Sequence, residues 1–227
     1  MNYAFTNTKI LDGSKDMQPQ IGLCILVRDG MITDIVPDTA DLHDYKVIDL
    51  HGSYILPGLI NMHVHLAGNG KPQKKQRDNE KLVNTIMSSA LTRAVAYKMV
   101  YGFAKDELFS GVTTIRTVGG LGDFDTRLRD EIEAGQKIGP RILASNQGIS
   151  VPGGHMAGSV AIAAASIPDA LNHLAQSEKE NVNLIKLMIT GGVLDAKEKG
   201  VPGELKMSPE MVRAVCQKAH EDGYMVA

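Results

Sequence analysis

Four near-continuous apolar runs, at 59–66, 112–118, 141–145 and 184–190, set the strongest limit on how this chain can fold. A strand with one wet face alternates apolar and polar residues, whereas a strand covered on both faces does not. Segments with helical spacing separate the runs, so the pattern predicts a parallel sheet flanked by helices. Leu82, Val83, Ile86, Met87, Ala90, Leu91, Ala94 and Val95 predict one long helix with a single wide apolar stripe. A shorter helix is expected around 125–134, ending at Gly135, and another over about 168–180. The last helix is the best marked: Ser208 caps it, Pro209 suits its first position, Glu210 its positive end, and Gly223 closes it. Met211, Val212, Val215, Cys216 and Ala219 form its expected buried face.

The count is four complete βα units and the opening of a fifth strand at Tyr224-Met225-Val226-Ala227. A closed (β/α)8 barrel needs eight units and roughly 250 residues. Residues 56–227 supply about half of one, so the expected fold class is α/β, the N-terminal part of a TIM-type barrel. Open edges on such a half barrel predict a homo-oligomer or dependence on a missing C-terminal half.

Residues 1–55 read differently, as a small β-sandwich module. Two β-rich runs, 22–27 and 31–36, are joined by Arg28-Asp29-Gly30, and Asp-Gly between such runs is a strong hairpin signal. Lys46-Val47-Ile48-Asp49-Leu50 adds a further short strand.

Composition removes several function classes. A net charge of -2 argues against a nucleic-acid binder. No apolar run approaches the roughly 20 residues that span a bilayer, and the N-terminus lacks the regions of a signal peptide. Cys24 and Cys216 are too few and too scattered for a disulfide framework. The expected location is cytoplasmic, with no membrane and no nucleic-acid partner.

The chemistry is concentrated in Leu56-Pro57-Gly58-Leu59-Ile60-Asn61-Met62-His63-Val64-His65. Side chains alternate along a strand, so His63 and His65 point to one side and form a ready pair of metal ligands. Lys186 lies within an apolar run, where an amine is expensive unless paired or neutral. Burial lowers its pKa, and a neutral amine can add carbon dioxide to become a carboxylate-like bridging ligand. A lysine snorkelling to the barrel end accounts for the same residue equally well. Val151-Pro152-Gly153-Gly154-His155 follows the third strand; it reads as a surface loop, with His155 also placed to contact substrate. Gly119-Gly120-Leu121-Gly122 reads as a plain loop, and Thr190-Gly191-Gly192 has the same two readings as the His155 loop. His43, His51, His173 and His220 fall at turns or on helices and read as structural or exposed.

The Pro-Gly-x-x-x-x-His-x-His stretch resembles the first-strand signature of the amidohydrolase superfamily. Gly111-Val112-Thr113-Thr114-Ile115-Arg116, Gly139-Pro140-Arg141-Ile142-Leu143, Gly153-Gly154-His155 and Ile185-Lys186-Leu187-Met188-Ile189-Thr190-Gly191-Gly192-Val193 extend the likeness. Together they resemble the branch of Xaa-Pro dipeptidases (prolidases) and imidazolonepropionase-related hydrolases. The resemblance implies a barrel fused to a β-sandwich built from the N-terminal module and a returning C-terminal segment. It implies His63 and His65 as ligands of the more buried metal, Lys186 as a carbamylated bridge, and His155 near the substrate's carbonyl or carboxylate.

One or two divalent ions are implied, zinc first, with manganese, cobalt and iron open. The implied reaction is attack by a metal-bridged hydroxide on the amide carbonyl of a small-molecule amide or dipeptide. Cyclic-amide opening and deamination are the nearest rivals, and a non-catalytic half-barrel interaction module is the alternative outside enzymology. Two departures stand out. Thr117 occupies the place where the branch commonly carries Asp, a supporting acid. The strand-five and strand-six histidines and the strand-eight general-base Asp would lie beyond Ala227. No catalytic base is therefore expected in this chain, and little turnover from it alone.

Overall fold

The Asp29-Gly30 turn forms as its residue types require. Asp29 and Gly30 take φ of 50° and 80°, and positive φ at both central residues gives a turn whose twist matches antiparallel strands. It joins β3 (Leu23–Arg28) to β4 (Met31–Pro37). With β1 (Asn2–Thr6) and β5 (Lys46–Asp49) these make a sheet ordered β4-β3-β1-β5, in which β5 runs parallel to β1. Ala4, Cys24, Ile25 and Leu26 are its buried side chains. A smaller parallel pair, β2 (Lys9–Ile10) with β6 (Tyr54–Ile55), completes this first unit, Met1–Gly58. The computed structural model describes residues 1–68, 70, 78–192 and 203–227, so Val193 of the fourth-strand motif lies outside the described residues.

The second unit, Leu59–Ala227, is built as strand and helix in turn. Its elements are β7 (Leu59–Val64), α1 (Asn79–Met87), α2 (Ala90–Phe109), β8 (Val112–Thr117), α3 (Phe124–Glu133) and β9 (Arg141–Leu143). There follow β10 (Gly148–Ser150), β11 (Ala161–Ala163), α4 (Ile167–Lys179), β12 (Leu184–Ile185), α5 (Pro209–Glu221) and β13 (Met225–Val226). β7, β8 and β9 pair in parallel in that order, and so do β12 and β13. The Asn183 N–H donates to the Ala144 carbonyl at 2.7 Å, just past β9, and carries the parallel order on towards β12. This is the first part of a (β/α)8 barrel.

Helix burial closes the outer layer. Ile115 and Ile142 on the strands meet Ala96, Val100, Phe124 and Leu128 on the helices, all almost fully buried. Further along, Ile185 and Leu187 meet Leu174, Met211 and Val215. Burying a side chain of this size stabilises by roughly 1.5–3 kcal/mol. Ser208 caps α5 by accepting the Met211 N–H at 3.2 Å, as its sequence requires.

Three local expectations change. The single long helix is two, because Ser89 takes extended angles and its Oγ accepts the Thr92 N–H at 3.2 Å. A serine that offers the backbone this bond starts a new helix in place of continuing the old one. The apolar stripe holds in α1, where Val83, Ile86 and Met87 pack on the core, but not in α2: Leu91 is 76% exposed and Val95 56%, while Ala96, Tyr97, Val100 and Ala104 are buried. Finally, the loop after β9 contains a short parallel pair, β10 with β11, and the Ile149 N–H donates to the Lys186 carbonyl at 2.8 Å. The run at 184–190 is thus split between regular pairing at Leu184–Ile185 and single bridges beyond it.

Candidate metal centre

β7 carries His63 near its end and His65 one residue beyond it, with ring centroids 5.3 Å apart at 65°. The Asn61 side chain braces the strand end by accepting the His63 N–H at 3.3 Å. His65 is half-buried, and its Nδ1 lies 3.0 Å from the Gly119 carbonyl oxygen in the turn after β8. A carbonyl oxygen only accepts, so Nδ1 carries the proton and Nε2 keeps its lone pair. That is how a metal-binding imidazole is commonly oriented.

β8 adds Arg116, whose Nε donates to the Met62 carbonyl at 2.8 Å and locks the cation beside the histidine strand. β12 delivers Lys186, half-buried, at its end. A Cβ on Gly148 would come within 3.1 Å of the Lys186 Cγ, so a side chain there would crowd that stem. Burial holds His63 below the ordinary imidazole range, with the Lys186 and Arg116 charges adding to it. Burial does the same to His65 against the opposing Gly119 hydrogen bond, helped by the charges of His63, Lys186 and His155. Lys186 itself is lowered by burial and then by Arg116. These mutual effects bring His63, His65, Lys186 and His155 into one electrostatic neighbourhood.

His155 comes from the turn between β10 and β11 and is half-buried. Its ring packs on the Cα of Gly192, where a Cβ would overlap Nδ1 and Cε1 and lie 2.9 Å from Cγ. A cavity of about 840 Å³ opens beside the histidine pair, walled by Leu82, Val83, Ile86 and Phe103 of α1 and α2. Its described walls take in His63 and His65 but neither Lys186 nor His155. The other histidines stand apart: His43 pairs with Asp41 and Asp44 at the surface, His173 meets the Gln147 carbonyl, and His51 and His220 are exposed.

Among the described residues, no group of three or more His, Cys, Asp or Glu is placed to hold a metal ion. The donor set is two imidazoles and a lysine, each held below its ordinary pKa. His63 and His65 fit two coordination positions of a divalent ion, and Lys186 fits a third once it carries an anionic group. Sequence reasoning missed two contributors. The Gly119-Gly120 segment, expected to be a plain loop, is a buried turn that grips His65, and Arg116 charges the site. A Gly-Gly pair directly after a strand, on the side where the histidines end, was the available signal for the first.

A partial parallel α/β barrel with a histidine pair at the strand ends defines a class of hydrolase-type scaffolds. Residues 54–227 match the model of the Amidohydrolase family, and the chain belongs to that family. A putative prolidase from Bifidobacterium longum is 35% identical, with a TM-score of 0.74 over 99% of this chain and 48% of that one. A Xaa-Pro dipeptidase solved with bound methionine is 27% identical, with a TM-score of 0.76 over 100% of this chain and 56% of that one. Among curated proteins, an imidazolonepropionase of Salmonella paratyphi C is 29% identical over 140 residues, 53% of this chain and 34% of its own length. The chain thus spans about half the length of the solved relatives and less of the curated one. No described helix is long and apolar enough to cross a membrane.

Proposed function

We propose that the chain is the N-terminal part of a metal-dependent hydrolase of carbon–nitrogen bonds, a prolidase-like dipeptidase. The observation that carries this reading is the convergence of His63, His65 and Lys186 on one neighbourhood, with the His65 tautomer set by the Gly119 carbonyl. When bound, a divalent ion supplies Lewis acidity, lowering the pKa of water and polarising a carbonyl. Zinc suits imidazole with a carboxylate-like third ligand.

The chain's own residues would act around it. His63 and His65 offer neutral nitrogens. In its neutral form the Lys186 amine attacks the carbon of carbon dioxide; one C=O π pair moves to oxygen, the nitrogen releases one proton to solvent, and an anionic carbamate remains. Arg116 favours this twice, by disfavouring a second cation nearby and by balancing the carbamate charge. His155, held against Gly192, is positioned to meet the carboxylate or carbonyl of a dipeptide. Asp106 and Glu107 line the cavity with the pair, but the general-base Asp that the resemblance implies belongs to strand eight, which residues 59–227 do not include. We therefore expect little turnover from the 227-residue chain alone, with activity depending on a C-terminal half or a second copy. A cytoplasmic location completes this reading.

The test is a hydrolysis panel of Xaa-Pro dipeptides, N-acyl amino acids and cyclic amides. It is run with the chain alone and with a version extended by the remainder of a prolidase relative, from the end of strand five through strand eight. Turnover of Xaa-Pro dipeptides by the extended version supports the reading. Turnover confined to cyclic amides reassigns the substrate, and silence on every amide overturns it.

A further inference from the structure

Asp125 lies in the first turn of α3 and is only 1% exposed, an expensive place for a carboxyl group. Burial pushes its pKa up to about 6 against the Thr117 hydroxyl, which hydrogen-bonds it. Its Oδ2 has no hydrogen-bond partner. Such a group persists where the surroundings hold it for a reason. The reason lies in what it touches. A Cβ added to Gly120 would lie 2.8 Å from the Asp125 Cγ and 2.9 Å from Oδ1, so the carboxyl is wedged against the Gly120 backbone.

Thr117 and Gly120 bracket Gly119, and the bracket is tied down on its far side. The Thr117 Oγ1 accepts the Ser145 N–H at 3.3 Å, and the Ser145 Oγ accepts the Gly119 N–H at 3.0 Å. The Gly120 N–H donates to the Asn146 carbonyl at 2.8 Å, and the Asn146 Oδ1 accepts the Thr126 N–H, next to Asp125, at 3.1 Å. Two groups that flank the Gly119 carbonyl, the Thr117 hydroxyl and the Gly120 backbone, are thus held by Asp125 itself, and a third tie runs through its neighbour Thr126. The carbonyl at the end of this chain meets His65.

We propose that Asp125 is a positioning residue for His65: wedged on Gly120 and bonded to Thr117, its carboxyl fixes the Gly119 carbonyl that sets the His65 tautomer. The value of this for metal binding rests on the ligand reading of His65 above; the tautomer itself does not.

The experiment is nitrogen–proton NMR of the His65 ring in the metal-free 227-residue chain, alongside Zn²⁺ titration. The Nδ1-protonated form is expected to dominate in the unsubstituted chain. Asp125→Ala and Gly120→Ala should each mix the tautomers and weaken Zn²⁺ binding roughly 10- to 100-fold. Asp125→Asn, which keeps shape and an acceptor for Thr117, should hold the tautomer. The double variant Asp125→Ala/Gly120→Ala should recover it, because the new methyl enters space the carboxyl has left. A single tautomer in Asp125→Ala, with only a lower Tm, overturns the proposal. If Asp125→Ala does not fold, failure of the double variant to restore the tautomer that Gly120→Ala loses overturns it equally. Tautomer loss without any Zn²⁺ binding in the unsubstituted chain supports the proposal and removes the ligand reading instead.

Discussion

The His65 ring and the Gly119 backbone are locked together twice over. Nδ1 sits 3.0 Å from the Gly119 oxygen, and a Cβ on Gly119 would approach the His65 Cε1 to 3.3 Å. Gly119 takes φ of 122°, a conformation L side chains rarely adopt, and the same Cβ would meet the Met188 Cε at 2.9 Å. Backbone freedom and side-chain room are both used to bring one carbonyl onto one imidazole.

Gly119→Ala therefore strains the backbone and pushes on the ring together. It should lower stability by about 1–3 kcal/mol in urea unfolding. Zn²⁺ affinity should fall roughly 10- to 100-fold, as for loss of an orienting partner. Unchanged affinity in a folded variant would separate the turn from the site.

Lys186 gives a chemical prediction. Because burial and Arg116 lower its pKa, it has a larger neutral fraction near neutral pH than a surface lysine. In ¹³C-labelled bicarbonate a carbamate resonance is expected that grows as pH rises towards 8. Lys186→Met should abolish it, and Arg116→Met should weaken it. Persistence of the signal in Lys186→Met would assign it elsewhere.

Asp125 makes stability depend on pH with a definite sign. Its folded pKa of about 6 exceeds the ordinary 3.8, so the folded state holds a proton that the unfolded chain has released. This contribution is fully present below about pH 4 and lost as pH rises through 6. The gap corresponds to about 3 kcal/mol. Urea unfolding from pH 4 to 7 should show the unsubstituted chain losing that much relative to Asp125→Asn. His63 and His65, lowered in the fold, oppose this by favouring the folded state as pH rises. They remain in both proteins, so the difference isolates Asp125.

Gly192 tests His155 without touching it. A methyl at 192 would occupy the imidazole's place, so Gly192→Ala must turn the ring away. Zn²⁺ affinity should hold while affinity for an N-acyl amino acid falls about tenfold, the loss of one hydrogen bond to a charged group. Loss of Zn²⁺ binding instead would place His155 among the ligands.

Much of the architecture was legible because its signals are local. The Asp29-Gly30 turn, the Ser208 cap and the apolar parallel strands depend on residue types a few positions apart. The break at Ser88-Ser89 was hidden because a helical stripe continues through it in sequence, and only the capping bond interrupts it. β10 and β11 escaped because three-residue strands pair through partners that periodicity cannot name.

By itself the sequence determined that two histidines share one side of a strand, since strand geometry has period two. It determined too that a lysine lies within an apolar run, since hydrophobic burial draws that run inside. Tertiary structure alone decided what these groups are chemically. The tautomer of His65 depends on a carbonyl 54 residues away in the chain, and the lowered pKa of Lys186 on burial and on Arg116. Those are effects of distance and dielectric, and neither is written in spacing along a chain.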